Sequence, residues 1–100
     1  MLVVILLKGP PGSGKSTLAR KLSQRLHWPH IDKDDVRDCF QPLALEHPSV
    51  DWNELSYDVI FSVLEAQLKV GISCIVDCPL ARISLFSKAE ALAQKVSASF

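Results

Sequence analysis

Residues 9–17 read GPPGSGKST, and three of the four glycines in the chain fall within this stretch. Before it stands LVVILL, residues 2–7, an unbroken aliphatic run of the kind that forms a strand covered on both faces of a parallel sheet. After it the period changes. Leu18, Ala19, Leu22 and Leu26 recur at helical spacing with Arg20, Lys21, Gln24 and Arg25 between them, until Trp28-Pro29 stops the run. Gly9 to Ser16 therefore matches G-x-x-x-x-G-K-S between a strand and a helix, the setting in which that pattern has physical meaning. Glycines let the backbone turn its amide groups inward and let phosphate oxygens approach with no Cβ in the way. The start of the helix aims its positive end at the same place. The expectation is a bound nucleotide with magnesium. Gly9, Pro10, Pro11, Gly12, Ser13, Gly14, Lys15, Ser16 and Thr17 would surround the phosphates, Lys15 would reach the β- and γ-phosphates, and the Ser16 hydroxyl would complete the magnesium coordination. The plainer alternative is a glycine-rich turn with an incidental lysine.

Working outward, His30-Ile31-Asp32 reads as a brief second strand. KDDVRDCF follows, with its acids at the front of a short helix where the dipole favours them. Gln41 to Ser49 carries Pro42 and Pro48 and reads as a loop. Asp51 and Glu54 have the spacing of a capping box for a helix that runs to about Lys69 and is closed by Gly71. Trp52, Leu55, Val59 and Val63 mark one apolar face of that helix, and Tyr57, Phe61, Leu64 and Leu68 a second, so burial on more than one side is expected. ISCIV, residues 72–76, is a third strand ending at Asp77, and Pro79 opens a last helix with Leu85, Ala89, Leu92 and Val96 on one stripe. This alternation of strand and helix builds a parallel sheet with right-handed crossovers, so the class is α/β.

In such a sheet the residues just beyond each strand gather on one rim. Here they are Lys8-Gly9, Asp32 to Asp35, and Asp77. A phosphate cradle beside several carboxylates is what phosphoryl transfer needs, one acid to orient the nucleophile and another to serve the metal. Asp77 is the candidate for the metal, with an acid capping the Pro79 helix as the alternative. Asp34, Asp35 and Arg37 have a purely structural alternative as first-turn acids and a solvated ion-pair partner. Asp38 and the three histidines carry no functional expectation.

The totals exclude several classes. Lys plus Arg equals Asp plus Glu at 11 each, which leaves no electrostatic footprint for a broad nucleic-acid surface. LVVILL is too short for a membrane span and lacks the flanks of a signal peptide, so an intracellular, cytoplasmic protein is expected. Cys39, Cys74 and Cys78 form neither a disulfide framework nor a zinc pattern and are expected to be buried free thiols.

GPPGSGKST, then HIDKDDVRD, then a helix carrying NELSYD, then IVD at a third strand: this order resembles the P-loop kinase-type ATPases related to polynucleotide 5′-kinases and zeta-toxin kinases. The resemblance extends along essentially the whole chain. It implies a three-layer P-loop NTPase core with only its first three strands present, residues 1–100 being the N-terminal part of such a domain. It further implies ATP and Mg2+ as cofactors and transfer of the γ-phosphoryl to a hydroxyl of a small molecule or nucleic-acid end. At matching positions Lys15, Asp34 and Arg37 become the catalytic candidates, Asp34 as general base and Arg37 as acceptor contact, with Ser16 and Asp77 at the metal.

Kinases of this kind continue with two further strands and an arginine-bearing lid, in strand order 2-3-1-4-5. A chain that stops at Phe100 is expected to lack that lid and to leave its first strand as a sheet edge, open to self-association. Two other functions are therefore carried forward: a nucleotide-binding module or shortened product without turnover, and a simple NTP hydrolase in which Asp34 positions water.

Overall fold

Among the described residues three short strands pair in parallel, and the last of them in sequence lies in the middle. A computed structural model of the chain describes residues 2–7 and 14–77, together with Ser87, Glu90, Ala91 and Gln94. The strands are β1 (Val4–Leu7), β2 (His30–Asp32) and β3 (Cys74–Asp77), in the order β1-β3-β2. The helices are α1 (Lys15–Leu26), α2 (Lys33–Ala44) and α3 (Trp52–Lys69). This is the α/β architecture expected, a parallel three-stranded sheet with flanking helices. Gly9 to Ser13 and the body of the expected Pro79 helix lie outside the described residues. Ser87, Glu90, Ala91 and Gln94, which fall within that helix, are helical and exposed.

Register explains how the sheet divides its labour. Val4 pairs with Cys74, Ile5 with Ile75, Leu6 with Val76 and Leu7 with Asp77. On the other side of β3, His30 pairs with Ile75, Ile31 with Val76 and Asp32 with Asp77. Side chains alternate between faces along a strand. Val4, Leu6, Ile31, Cys74 and Val76 accordingly share one face and pack with Tyr57, Ile60, Phe61, Leu64 and Leu68 of α3 to make the core. Leu7, Ile75, Asp77, His30 and Asp32 belong to the opposite face, against which α1 lies through the fully buried Ala19. One face is oily and the other ends in polar residues. β3 is buried along its whole length because it has a strand on each side and a helix against it.

α1 begins at Gly14, whose φ of 83° is the left-handed conformation that glycine adopts without strain. It ends at His27, also left-handed at φ 57°, whose amide returns to the Ser23 carbonyl at 2.9 Å. Of the four residues at helical spacing in α1, only Ala19 is buried. Leu18 is 49% exposed because it is turned by about 100° from Ala19, and Leu26, on nearly the same side as Ala19, is 39% exposed as the last residue of the helix.

α2 begins as expected and ends later. The Asp32 carboxylate accepts the Asp34 amide at 2.9 Å, and Asp34 and Asp35 occupy the first turn. The helix then runs through Pro42 to Ala44, so the first part of the expected loop over Gln41–Ser49 is helical. A proline in a final turn removes one hydrogen bond and does not interrupt the helix behind it. Packing supplies the compensation: the Phe40 ring lies 5.3 Å from Trp52 of α3, centroid to centroid.

α3 is capped by Asp51, which accepts the Glu54 amide at 3.0 Å. Gly71, at φ 83°, follows its end. The face made by Tyr57, Phe61, Leu64 and Leu68 is buried together with Ser56 and Ile60. The second face is not, since Leu55 and Val63 are exposed. α3 covers one side of the sheet and turns its back to solvent. Cys74 is a buried free thiol whose pKa burial pushes up to about 11. Cys39 is exposed, contrary to expectation, because it stands on the outer side of α2, and Cys78 lies outside the described residues. Among the described residues, no helix is long and apolar enough to cross a membrane.

Candidate active site

Asp77 organises the polar rim. As the last residue of the central strand it is fully buried, and three side chains from two other elements converge on it. Lys15 Nζ stands 2.9 Å from Oδ1 as an ion pair, with Oδ1 left without a directed hydrogen bond. The Ser16 hydroxyl donates to Oδ2 at 2.9 Å. His30 Nε2 approaches Oδ2 at 3.5 Å from β2. Lys15 and Ser16 reach the carboxylate because they form the first turn of α1, directly after the Gly14 turn.

The electrostatics follow from that packing. Burial pushes the Asp77 carboxyl upward, but the Lys15 and Ser16 contacts and the Lys15 charge outweigh it and hold Asp77 below the usual carboxylate range. The Asp77 contact raises the Lys15 ammonium above its ordinary 10.5 against a smaller effect of burial, with Asp34 and Asp32 adding attraction. Asp32 is shifted the other way: partial burial raises it, assisted by the charges of Asp77, Asp35 and Asp34 and opposed by the Asp34 amide.

The sequence-derived residues thus fall into two groups. Lys15, Ser16 and Asp77 meet at one point. Asp34 and Arg37 meet each other, with Arg37 3.5 Å from Asp34 and 3.6 Å from Asp38, in a half-exposed cluster on α2. Asp34 stands in the first turn of α2 directly after the rim end of β2, and its charge attracts Lys15. Thr17 is exposed on α1. Gly9, Pro10, Pro11, Gly12 and Ser13 lie outside the described residues.

Sequence reading set Asp32 on the rim without a role and missed His30. One donor atom from each of them and one from Asp77 lie within 4.8 Å of one another. The signal was parity: His30 and Asp32 are two apart on β2 and share the face of Asp77 once β2 is placed beside β3. Lys33 was missed as well. It is 3% exposed, with its ammonium 5.2 Å from the centre of the Tyr57 ring, and ties α2 to α3.

A lysine and a serine that open a helix directly after a glycine turn and share a buried aspartate fit the plan of a P-loop NTPase of the kinase type. Residues 4–100 match the family model described as an AAA domain, and the chain belongs to that family. It is 39% identical over 71 residues to a cytidylate kinase of Aster yellows witches'-broom phytoplasma, covering 70% of this chain and 30% of that enzyme. Over 32 residues it is 53% identical to an adenylate kinase of Streptomyces lividans, covering 32% of this chain and 16% of that one. A solved structure from Chloroflexus aurantiacus, named as a candidate kinase, superposes with a TM-score of 0.81 over 97% of this chain and 55% of its own, at 22% identity. That likeness concerns the fold. The chain spans about a third or less of the length of these curated relatives.

Proposed function

We infer that the chain binds ATP with magnesium at the turn leading into α1 and, within a complete catalytic unit, passes the γ-phosphoryl group to an acceptor. The observation that supports this most directly is Asp77, buried between Lys15 and Ser16. A lysine and a serine hydroxyl that follow a glycine turn and share one carboxylate are ready to exchange it for phosphate oxygens and a metal. The donor set fits magnesium: a hydroxyl and a carboxylate are hard oxygen ligands, and Oδ1 of the buried carboxylate has no directed hydrogen bond. When bound, magnesium would neutralise charge on the β- and γ-phosphates.

This chain's own residues have separable roles. Lys15 would hold the transferring end of the triphosphate, Ser16 and Asp77 would hold the metal, and the α1 amides would carry the remaining phosphate oxygens. Asp34 would orient the acceptor, and Arg37, which now pairs with it, would contact the acceptor's anionic part. The relatives are named as kinases of cytidylate and adenylate, so a nucleoside monophosphate is the first acceptor to assay, followed by hydroxyl acceptors.

The test is calorimetric titration of ATP with and without magnesium, followed by transfer assays. Magnesium-dependent uptake that Lys15→Ala weakens supports the reading, and no uptake by the folded protein refutes it. Asp34→Asn then separates acceptors. A hydroxyl needs its proton removed, so turnover falls roughly 100-fold or more, whereas a phosphate oxygen is already ionised and turnover falls far less. Uptake without transfer would make the chain a binding module, and phosphate release to water a hydrolase.

A further inference from the structure

His30 Nε2 is a buried polar atom with no hydrogen-bond partner among the described residues. Such an orphan is costly and rare enough in native interiors to require a reason. Its nearest counterpart is Asp77 Oδ2 at 3.5 Å, beyond useful hydrogen-bond length. Facing a carboxylate oxygen, the imidazole is stabilised with its proton on Nε2, since a bare nitrogen there would set lone pair against lone pair. A donor therefore stands a few tenths of an ångström short of its acceptor.

The shortfall has a cause in the geometry. Lys15 and Ser16, both from α1, hold the Asp77 carboxylate at 2.9 Å each, while His30 approaches from β2. Two partners on the α1 side compete with one on the β2 side, and the two prevail. We propose that His30 is the positioning residue for Asp77 in the loaded site: when Lys15 turns to phosphate and Ser16 to magnesium, the carboxylate moves toward β2 and closes a hydrogen bond with His30 Nε2. The step is an exchange of donors in which no proton changes owner.

The exchange rests on the nucleotide reading above and adds a function to it. Without His30, an aspartate that lost Lys15 and Ser16 together would be buried with no hydrogen-bond donor among the described residues to orient it. With His30, one carboxylate oxygen stays fixed by an N–H while the other faces the metal. Outer-sphere partners of metal-supporting groups commonly change metal affinity by 10–100-fold when removed. His30 would contribute only when magnesium accompanies the nucleotide, a dependence that a structural role in the sheet would not produce.

Titration calorimetry of ATP into the full chain, in EDTA and in magnesium, tests this through the ratio of the two dissociation constants. His30→Leu should lower the ratio about tenfold or more. His30→Gln, whose amide nitrogen lies near the position of Nε2, should recover most of it. Independently, the Nε2–H resonance of His30 in 15N-histidine-labelled wild type should move downfield with Mg·ATP and stay in place with ATP in EDTA. A wild-type ratio in His30→Leu, a His30→Gln variant no better than the leucine variant, or a resonance indifferent to Mg·ATP overturns the exchange. Should His30→Leu fail to fold, the glutamine variant and the wild-type resonance still decide. Wild-type protein that takes up no nucleotide overturns the underlying site reading, a result distinct from uptake that ignores His30.

Discussion

Lys15 Nζ lies 2.9 Å from Asp77 Oδ1, and this pair joins the first turn of α1 to the end of the central strand. A residue expected to hold phosphate therefore also stabilises the fold while no nucleotide is bound. Lys15→Met should cost about 3 kcal/mol, the usual penalty for leaving one partner of a buried pair uncompensated. Lys15→Met combined with Asp77→Asn should cost clearly less than the two single losses added together. Urea unfolding of the four proteins measures the coupling directly.

The same pair sets a pH window. Asp77 titrates lower in the folded chain than its ordinary 3.8, so its contribution is present above that value and lost as the medium is acidified below about 4. Lys15 titrates above 10.5 when folded, so its contribution is complete below 10.5 and disappears at higher pH. Thermal midpoints should form a plateau between these limits and fall at both ends. In Lys15→Met the alkaline fall that belongs to this pair should vanish.

Asp32 offers a test of opposite sign. Its folded pKa is raised from 3.8, chiefly by burial, so the folded chain binds the proton more tightly and the charged form costs stability at neutral pH. Asparagine keeps the acceptor that caps α2 and removes the charge. Asp32→Asn should raise the neutral-pH midpoint, with the gain shrinking as pH falls toward 4. Asp32→Ala, which removes the cap, should instead lose about 1 kcal/mol.

β1 pairs only with β3 among the described residues and presents Val4 to Leu7 on the sheet edge. An aliphatic edge of this kind invites pairing with another copy. Sedimentation velocity should show association that grows with concentration, and a charge placed on that edge strand, as in Ile5→Lys, should suppress it. A monomer across the accessible concentration range, unfolding cooperatively, would show that the edge is protected in solution.

Much of this arrangement was legible in the sequence because it is written locally. LVVILL, the Gly14-Lys15-Ser16 turn and the Asp51 cap each carry their own stop and start signals. Asp77 could be placed on the rim because a charge ending an apolar strand has few other positions. α2 was read too short because proline is a strong local signal, whereas the contact between Phe40 and Trp52 that outweighs it joins two helices. The outward face of α3 was read as buried because apolar periodicity reports that a residue could be covered, not that a layer exists to cover it. His30 was invisible for a related reason. A lone histidine acquires meaning only when strand order sets it beside a carboxylate that is remote in the chain.

Alternation along β2 has one more consequence. Ile31 faces the oil and its two neighbours face the rim, so sliding this strand by a single residue against β3 would sink a carboxylate and an imidazole into hydrocarbon while pushing an isoleucine out among the polar groups. No half-correct version of the polar rim survives such a slip. Correct assembly of the oily interior and correct assembly of the polar edge are therefore one event, and chemistry at that edge can serve as a readout of how well the interior has come together.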